Sequence, residues 1–443
     1  MSTKWYLIIL LALGLLTRFM FFGHPNETVF DEVHFGKFVS GYYTREYFFD
    51  IHPPLGKLTI AGFAELFDFK PEFAFSQIGD KFPDKQYLIL RFLPNLAGAL
   101  LPLVIFLLML EIGISRFASF FGGLFIVLEN ALLAQSHYIL LDSFLLLFGF
   151  LALFFYFQSK NYPPRSTFYI LLFGLFSGLA ISVKWTGLSF LALPLAIEAV
   201  RIIKNRNYKN IFKVLLLPIV VAVSVYFIFF AIHLNILNKS GPGDAFMSAG
   251  FQKTLVGNIY TGDQIKTPNI FQKFMQLNFE MYKANQRLDA SHPYSSQWYN
   301  WPLMTRPIYY WVNDNARIYL LGNPLIWWAS TVAIIIAIMH CALRIRDQFK
   351  NKLIWFLLAG YTINMLPFIG VKRVMFLYHY FIAYIFAIMI LVWLISRSKH
   401  SKIIFVALLA LSTVAFVYFA PLSYGLDLSS KAYEARVWLN SWR

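Results

Sequence analysis

The chain has one cysteine, Cys341, and few charged residues: Asp, Glu, Lys and Arg make up 14% of its 443 residues. A single cysteine excludes an internal disulfide and any cysteine metal cluster. With 58% hydrophobic residues, the chain also cannot hide its apolar side chains in one water-soluble core. The sequence has neither a P-loop nor a dinucleotide fingerprint. It therefore gives no indication that the protein uses a soluble nucleotide as a donor substrate or ATP as an energy source.

Long apolar runs are what the sequence has instead. About 20 apolar residues are needed to cross a hydrocarbon layer of roughly 30 Å, and helices satisfy their own backbone there. The mean hydropathy is +0.59, so we expect an all-α polytopic membrane protein. We count about eleven transmembrane helices, at 5–22, 92–110, 117–135, 138–157, 168–183, 187–200, 214–233, 324–343, 353–370, 377–395 and 403–420.

Two apolar stretches are too long for one span each. The stretch 168–200 would measure about 50 Å as one helix, so we predict a break at Lys184–Gly187. By the same reasoning, the stretch 117–157 is predicted to break near Glu129-Asn130 and near Gln135–His137. The first span lacks a small-residue cleavage site, so it is predicted to be a retained signal anchor.

The net charge of +16 would suggest nucleic acid in a soluble protein, but here it collects in short loops. Lysines and arginines cluster at 201–213, 344–352 and 397–402, which places these loops and the amino terminus on the cytoplasmic face. The opposite face then receives the first outer loop (23–91) and the long outer loop (234–323) after the seventh span. No nucleic-acid partner is expected.

The first outer loop carries two helix patterns that predict helices lying flat at the membrane interface. In the first, apolar residues recur at helical spacing: Phe35, Phe38, Val39, Tyr42 and Tyr43. The second begins after Pro53-Pro54 and is predicted to place these residues on one side: Leu55, Leu58, Thr59, Gly62 and Phe63.

The adjacent carboxylates Asp31 and Glu32 are the candidate catalytic pair. A carboxylate beside a hydroxyl acceptor can remove its proton as the hydroxyl attacks. If the leaving group is a phosphate, no second catalytic acid is needed, whereas glycoside hydrolysis needs an acid and a base. The alternative is structural, since Asp is a favoured helix N-cap and Glu suits a first helical turn.

Basic residues near span ends are candidates to hold a lipid phosphate. Ionised groups within a membrane are costly and are functional candidates by default. Arg91, Lys184 and the pair Lys372-Arg373 could neutralise a phosphate as its bond to sugar breaks. The alternative for each is a paired structural charge or an ordinary headgroup contact. The histidines are too dispersed in the sequence for us to propose a metal site.

Ten stretches along the chain resemble one family in the same order. They include FDEVHFGKFVSGYY, FFDIHPPLGKL, RFLPNLAGALLPL, LENALLAQSHYILLDSFLL, SVKWTGL and HPYSSQWYNWPLMTRPIYYW. Across nearly the whole chain the sequence is similar to the protein O-mannosyltransferases, membrane enzymes of the GT-C glycosyltransferase class.

The resemblance implies a single GT-C transmembrane domain over 1–443 that transfers mannose from polyprenyl-phosphate mannose to Ser or Thr hydroxyls, with inversion. Asp31 then resembles the catalytic base and Glu32 its positioning partner, and Arg91, Lys184 and Arg373 resemble donor-phosphate contacts. Further site residues implied by the motifs are His34, His52, Gln135, Asp142, His292 and Trp301. Of these, Gln135 and Asp142 would brace the site, while His292 and Trp301 would belong to the loop over the cavity.

The sequence departs from the eukaryotic members in one respect. Those members carry a β-trefoil MIR domain after the seventh span, whereas here the corresponding loop runs directly to HPYSSQW. The chain thus resembles the compact prokaryotic type, with its active site on the non-cytoplasmic face of the plasma membrane. We expect no required cofactor, and a divalent cation is not indicated. The expected partners are the lipid-linked donor, membrane lipids and a translocated protein acceptor, with the secretion translocon as a further candidate.

Two alternatives stay open from the sequence. A related GT-C enzyme could glycosylate a lipid, as aminoarabinose transferases modify lipid A, with the same base and phosphate contacts. A transporter of lipid-linked sugar would be expected to show internal repeats and helices broken at the midplane. We find no self-similarity between the two halves of the sequence.

Overall fold

The computed structural model describes residues 2–206, 208–262, 264–287, 292–343, 352–371 and 373–443. Its α-helices are α1 Thr3–Phe19, α2 Glu32–Thr44, α3 Leu55–Ala64, α4 Gln86–Glu111, α5 Arg116–Val127, α6 Asn130–His137, α7 Asp142–Asn161, α8 Ser166–Val183, α9 Leu188–Asn205, α10 Leu217–Ile236, α11 Ala249–Gln252, α12 Ile270–Arg287, α13 Pro324–Leu343, α14 Lys352–Ile363, α15 Phe381–Ser396, α16 Ser401–Tyr424 and α17 Ser430–Glu434.

The predicted spans correspond to helices in the structure. Within the described residues, nine helical segments are long and apolar enough to cross a membrane: Gln86–Glu111, Asp142–Asn161, Pro163–Val183, Trp185–Asn205, Phe212–Ile236, Pro324–Leu343, Lys352–Ile369, Leu377–Ser396 and Ser401–Tyr424. The bent pair α5 and α6 is a tenth candidate, with an angle of 55° between its halves. Helix α1 has 17 residues and coincides with the first predicted span. The basic loop 344–351 lies outside the described residues.

Both long apolar stretches break near the predicted positions. In the stretch 117–157, hydrogen bonds from side chains stabilise the break. Arg18 of α1 donates to the carbonyls of Ile126 and Val127, at 2.9 and 2.6 Å, where α5 ends. The Glu129 carboxylate then accepts from the Leu132 amide at 2.9 Å and caps α6. The bend is stable inside the protein because these side chains satisfy backbone groups that a straight helix would pair internally.

The two helices of the first outer loop form as predicted. On α2 the apolar side chains Phe35, Val39 and Tyr42 are buried. On α3 the buried residues are Leu55, Gly56, Lys57, Ile60, Ala61 and Ala64, whereas Gly62 is exposed. The reason is that α3 packs against α2, α4 and α8, so its buried side is set by three neighbours and not by one apolar stripe.

The long outer loop adds a β-hairpin to the helical fold. Strands β1 (Ile308–Asn313) and β2 (Ala316–Leu320) pair antiparallel. The hairpin is fixed to the first outer loop because Glu27 accepts hydrogen bonds from Trp311 at 2.8 Å and Asn313 at 3.1 Å. The two outer loops therefore form one layer at the same end of the helices.

Candidate active site

One cavity collects polar side chains from five separate parts of the chain. They are His52 after α2, Asp142 at the start of α7, Lys184 at the break between α8 and α9, Asn285 near the end of α12, and Arg373 before α15. The other lining residues are Ile51, Leu145, Leu146, Trp185, Thr186, Tyr378, His379, Phe381 and Ile382. We call this space the polar cavity.

A chain of hydrogen bonds fixes one wall of the polar cavity. The Lys184 ammonium donates to both oxygens of Asp142, at 2.8 Å each. Gln135 donates to the same carboxylate at 2.6 Å and accepts from the Tyr310 hydroxyl of β1. The Lys184 nitrogen also lies 5.0 Å from the centroid of the Tyr378 ring. Gln135 and Asp142 thus hold the position of Lys184, the cation that faces the cavity.

Arg373 is the second cation of the polar cavity. Its Nη1 donates to Asn285 at 2.5 Å, and its Nη2 lies 3.3 Å from Nε2 of His379. Partial burial lowers the pKa of Arg373 from its ordinary value, yet a guanidinium still stays charged near neutral pH. Lys372, the other half of the predicted pair, lies outside the described residues.

Asp31 lies at the start of α2 and does not act as its cap. Although it occupies the N-cap position, its side chain makes no capping hydrogen bond, which removes the structural alternative for this residue. Burial raises the pKa of the Asp31 carboxyl to about 7, although the Lys184 charge acts in the opposite direction. Asp142 and Asp50 also raise this pKa, so Asp31 belongs to the electrostatic environment of the polar cavity.

Arg91 is not free to bind a phosphate as predicted, because it binds Glu32. Nε and Nη2 of Arg91 donate to the two oxygens of Glu32, each at 2.7 Å, and both side chains are fully buried. Arg91 also donates to the carbonyls of Pro25 and Glu27, at 2.8 Å each. A lipid phosphate would have to displace Glu32, so the structure does not support the donor-phosphate role of Arg91. The pair instead fixes the loop that carries Asp31.

Of the remaining predicted site residues, one lines the polar cavity and the others lie outside its lining. His52 lines the polar cavity, where burial and the nearby Lys184 charge keep its pKa well below the ordinary value. His292 packs on Phe376, with 5.0 Å between ring centroids. Trp301 is fully buried and lies parallel to the His379 ring at 6.0 Å. The His34 side chain is exposed and does not line the cavity, so its predicted site role is corrected.

Sequence reasoning missed three contributors to the site. Asn285 is one of several amides in an amphipathic helix, and nothing in its local sequence marks it. Tyr378 is uncharged, so a search for charged residues near span ends does not find it. The buried salt bridge between Asp50 and Lys57 did have a signal, because both ends lie in FFDIHPPLGKL; Lys57 also donates to the His52 carbonyl at 2.9 Å. Among the described residues, no group of three or more His, Cys, Asp and Glu side chains could hold a metal ion.

Two protein-family sequence models match this chain and identify its family. The model for "Dolichyl-phosphate-mannose-protein mannosyltransferase" matches residues 8–238. The model for "C-terminal four TMM region of protein-O-mannosyltransferase" matches residues 270–442. Among curated relatives, dolichyl-phosphate-mannose–protein mannosyltransferase 4 of Candida albicans is 36% identical over 56% of this chain and 35% of its own length. Protein O-mannosyltransferase 1 of Drosophila melanogaster is 35% identical over 57% of this chain and 30% of its own. The alignments thus span about a third of these relatives.

Solved structures agree on the fold. The chain matches the S. cerevisiae protein O-mannosyltransferase Pmt1-Pmt2 complex bound to the sugar donor with a TM-score of 0.92, covering 99% of this chain and 92% of that one at 21% identity. The Archaeoglobus fulgidus oligosaccharyltransferase matches with a TM-score of 0.57, covering 99% of this chain and 57% of that one at 13% identity. The chain therefore belongs to the protein O-mannosyltransferase family and has the GT-C fold of these membrane glycosyltransferases.

Proposed function

We propose that this protein transfers mannose from polyprenyl-phosphate mannose to Ser or Thr hydroxyls of proteins, on the non-cytoplasmic face of the plasma membrane. The observation that carries the proposal is an acid with a pKa of about 7, Asp31, in the electrostatic environment of a cavity that holds two cations. Family membership supplies the reaction class, and the protein acceptor and the translocon belong to the same proposal.

The charges of the polar cavity suit a phosphate. Among the described lining residues, Lys184 and Arg373 contribute two positive charges and Asp142 one negative charge, before the ionised Asp31 nearby is counted. His52 adds none, because its pKa is lowered well below the ordinary value. Lys184 as a point charge and Arg373 as a planar donor would both stabilise the negative charge that a departing phosphate gains.

Each bond change has a residue to support it. The acceptor Oγ attacks C1 of mannose from the side opposite the phosphate, while the bond between C1 and the phosphate oxygen breaks. The hydroxyl proton passes to the ionised Asp31 carboxylate, and the polyprenyl phosphate departs with the bonding electrons. Attack from the opposite side inverts C1. No general acid is required, because the phosphate leaves as an anion.

The test is a transfer assay with purified protein, polyprenyl-phosphate mannose and a Ser/Thr peptide, read by mass spectrometry. We expect one added hexose on the peptide. Asp31→Asn should abolish this product and leave donor binding largely intact, because the amide cannot accept the proton. Asp68→Asn is the matched control, since Asp68 is an exposed acid of the same loop and forms a salt bridge with the exposed Lys70; it should keep full activity.

The same assay separates the alternatives. Full activity of Asp31→Asn would remove the base assignment. Hexose transfer to a lipid with none to the peptide would favour the lipid-modifying alternative. Since Lys184 and Arg373 supply the positive charge, we expect a chelator to leave the rate unchanged.

A further inference from the structure

Helix α12 carries apolar side chains on two opposite faces. On one face, Leu277 and Met281 are buried in the protein. On the other, four apolar side chains recur at helical spacing and are each more than half exposed: Phe271, Met275, Phe279 and Tyr282. A contiguous row of this kind marks a surface that contacts an apolar partner. We call these four side chains the exposed row.

Polar residues flank the exposed row on one side. Glu280 and Lys283 form a salt bridge of 2.9 Å. The Lys283 nitrogen lies 4.3 Å from the centroid of the Phe279 ring, so its aliphatic stem covers part of that ring. Aromatic residues beside lysines that reach toward water are typical of helices lying in a membrane interface.

The exposed row adjoins the outward, apolar side of the α10 span. The span of α10 has only 17% of its most apolar window buried, with its outward side chains Val220, Val223, Ile228 and Ile232 exposed. Phe227 of this span contacts Phe271 and Phe274 of α12, with ring centroids 6.4 and 5.2 Å apart. Acyl chains around α10 would therefore reach the start of the exposed row.

We propose that the exposed row of α12 lies in the lipid bilayer interface at the end of α10, with its side chains between headgroups and acyl chains. The partner is the lipid surface itself. A second copy of this chain could also cover apolar side chains, but the continuity with α10 favours lipid. The inference concerns membrane contact and does not depend on the proposed reaction.

The other flank of α12 connects this lipid contact to the polar cavity. Asn285 donates to the Ile51 carbonyl at 3.2 Å and accepts from Arg373 at 2.5 Å. Asn278 accepts from the Tyr226 hydroxyl at 2.5 Å, and that hydroxyl accepts from Trp185 at 2.8 Å. Insertion of the exposed row into the membrane interface would thus fix the depth of Arg373 relative to the membrane surface.

The test is site-directed spin labelling of the full chain in lipid nanodiscs. Cys341→Ser removes the only native cysteine, which is buried. Met275→Cys and Phe279→Cys then place a nitroxide on the exposed row, and Glu280→Cys places one on the polar flank of the same helix. Collision rates are measured with oxygen, which concentrates in lipid, and with a water-soluble nickel chelate.

We expect labels at 275 and 279 to collide several-fold more with oxygen than with the chelate, and the label at 280 to show the reverse. Equal chelate access at all three positions would overturn the proposal, because the row would then face water. Low access to both reagents at 275 and 279, together with a dimer in the same nanodisc, would also overturn it, because the partner would then be a second copy.

Discussion

At the scale of single residues, the site depends on which buried charges are paired. Glu32 and Arg91 neutralise each other completely, whereas Lys184 shares one carboxylate and still faces the polar cavity. Asp31 has no hydrogen-bonded cation among the residues that the structure describes, and burial raises its pKa to about 7. Acidic and basic residues therefore have two different roles. The Glu32–Arg91 pair fixes a loop, whereas Asp31 and Lys184 remain available for the reaction.

The raised pKa of Asp31 predicts the pH dependence of transfer. Because the base must be ionised, activity should rise as the pH increases through about 7 and then level off. Lys184→Met removes a charge that lowers this pKa and leaves Asp142, which raises it. We expect the acid limb of kcat/KM to move to higher pH by about one unit, in addition to a lower rate.

Lys70→Met is the control for this pH profile, since Lys70 is exposed and forms its salt bridge with the exposed Asp68. Its acid limb should coincide with that of the unchanged protein. An acid limb that stays in place in Lys184→Met would show that another group is the base.

The pairing of Arg91 predicts a loss of stability. Arg91→Ala leaves the Glu32 charge buried without a partner, and removing one member of a buried pair costs about 3–5 kcal/mol. Thermal unfolding in detergent should show a clearly lowered midpoint. The double variant Glu32→Gln with Arg91→Met should recover part of the loss, because it leaves no charge behind. If Arg91→Ala kept its stability but bound the donor more weakly, Arg91 would instead be a donor-phosphate contact, as the sequence predicted.

At the scale of elements, close helix packing depends on small residues at defined positions. Helices α8 and α10 meet at Gly178, where an added Cβ would lie 2.9 Å from backbone atoms of Ala222 and 2.8 Å from Val225. Contacts under 3 Å with backbone cannot be relieved by rotating a side chain. The two helices would have to separate, and α10 is also the helix on which α12 packs.

Gly178→Ala is therefore expected to destabilise the protein by about 1–3 kcal/mol, the usual cost of overpacking. The measurement is the midpoint of thermal unfolding. Gly62→Ala is the matched control, because Gly62 is also helical and an added Cβ meets nothing within 4 Å. It should be neutral or slightly stabilising, since Ala favours helix over Gly by up to ~1 kcal/mol. Equal effects of the two substitutions would contradict the packing argument.

At the scale of the whole molecule, the polar cavity exists only because distant segments meet. His52, Lys184 and Arg373 are separated by more than a hundred residues from one another, yet they line one space. The two outer loops are joined by the contacts of Glu27 with the hairpin, which keeps the Asp31 loop next to the β1 strand. The helices supply the rigid frame and most of the lining side chains, whereas His52, Lys184 and Arg373 come from the segments between helices.

The sequence by itself determined the helices, their breaks and the family. Apolar runs of membrane length leave the backbone no alternative to helix, and a run of 50 Å must break at its polar residues, as it does at Lys184. The motifs also singled out Asp31, Lys184 and Arg373, and the last two line one cavity; the roles of all three stay predictions. The predictions of the helices, their breaks and the family succeeded because they depend on local composition and on motifs that are local in the sequence.

Only the tertiary structure decided which charges are paired. The sequence gives no distance between Glu32 and Arg91, so it could not show that they neutralise each other, and Asn285 has no local signal at all. The buried face of α3 and the hairpin at 308–320 also depend on what packs against them. Pairing, burial and pKa are properties of side chains brought together from distant parts of the chain, and they are set only when the chain has folded.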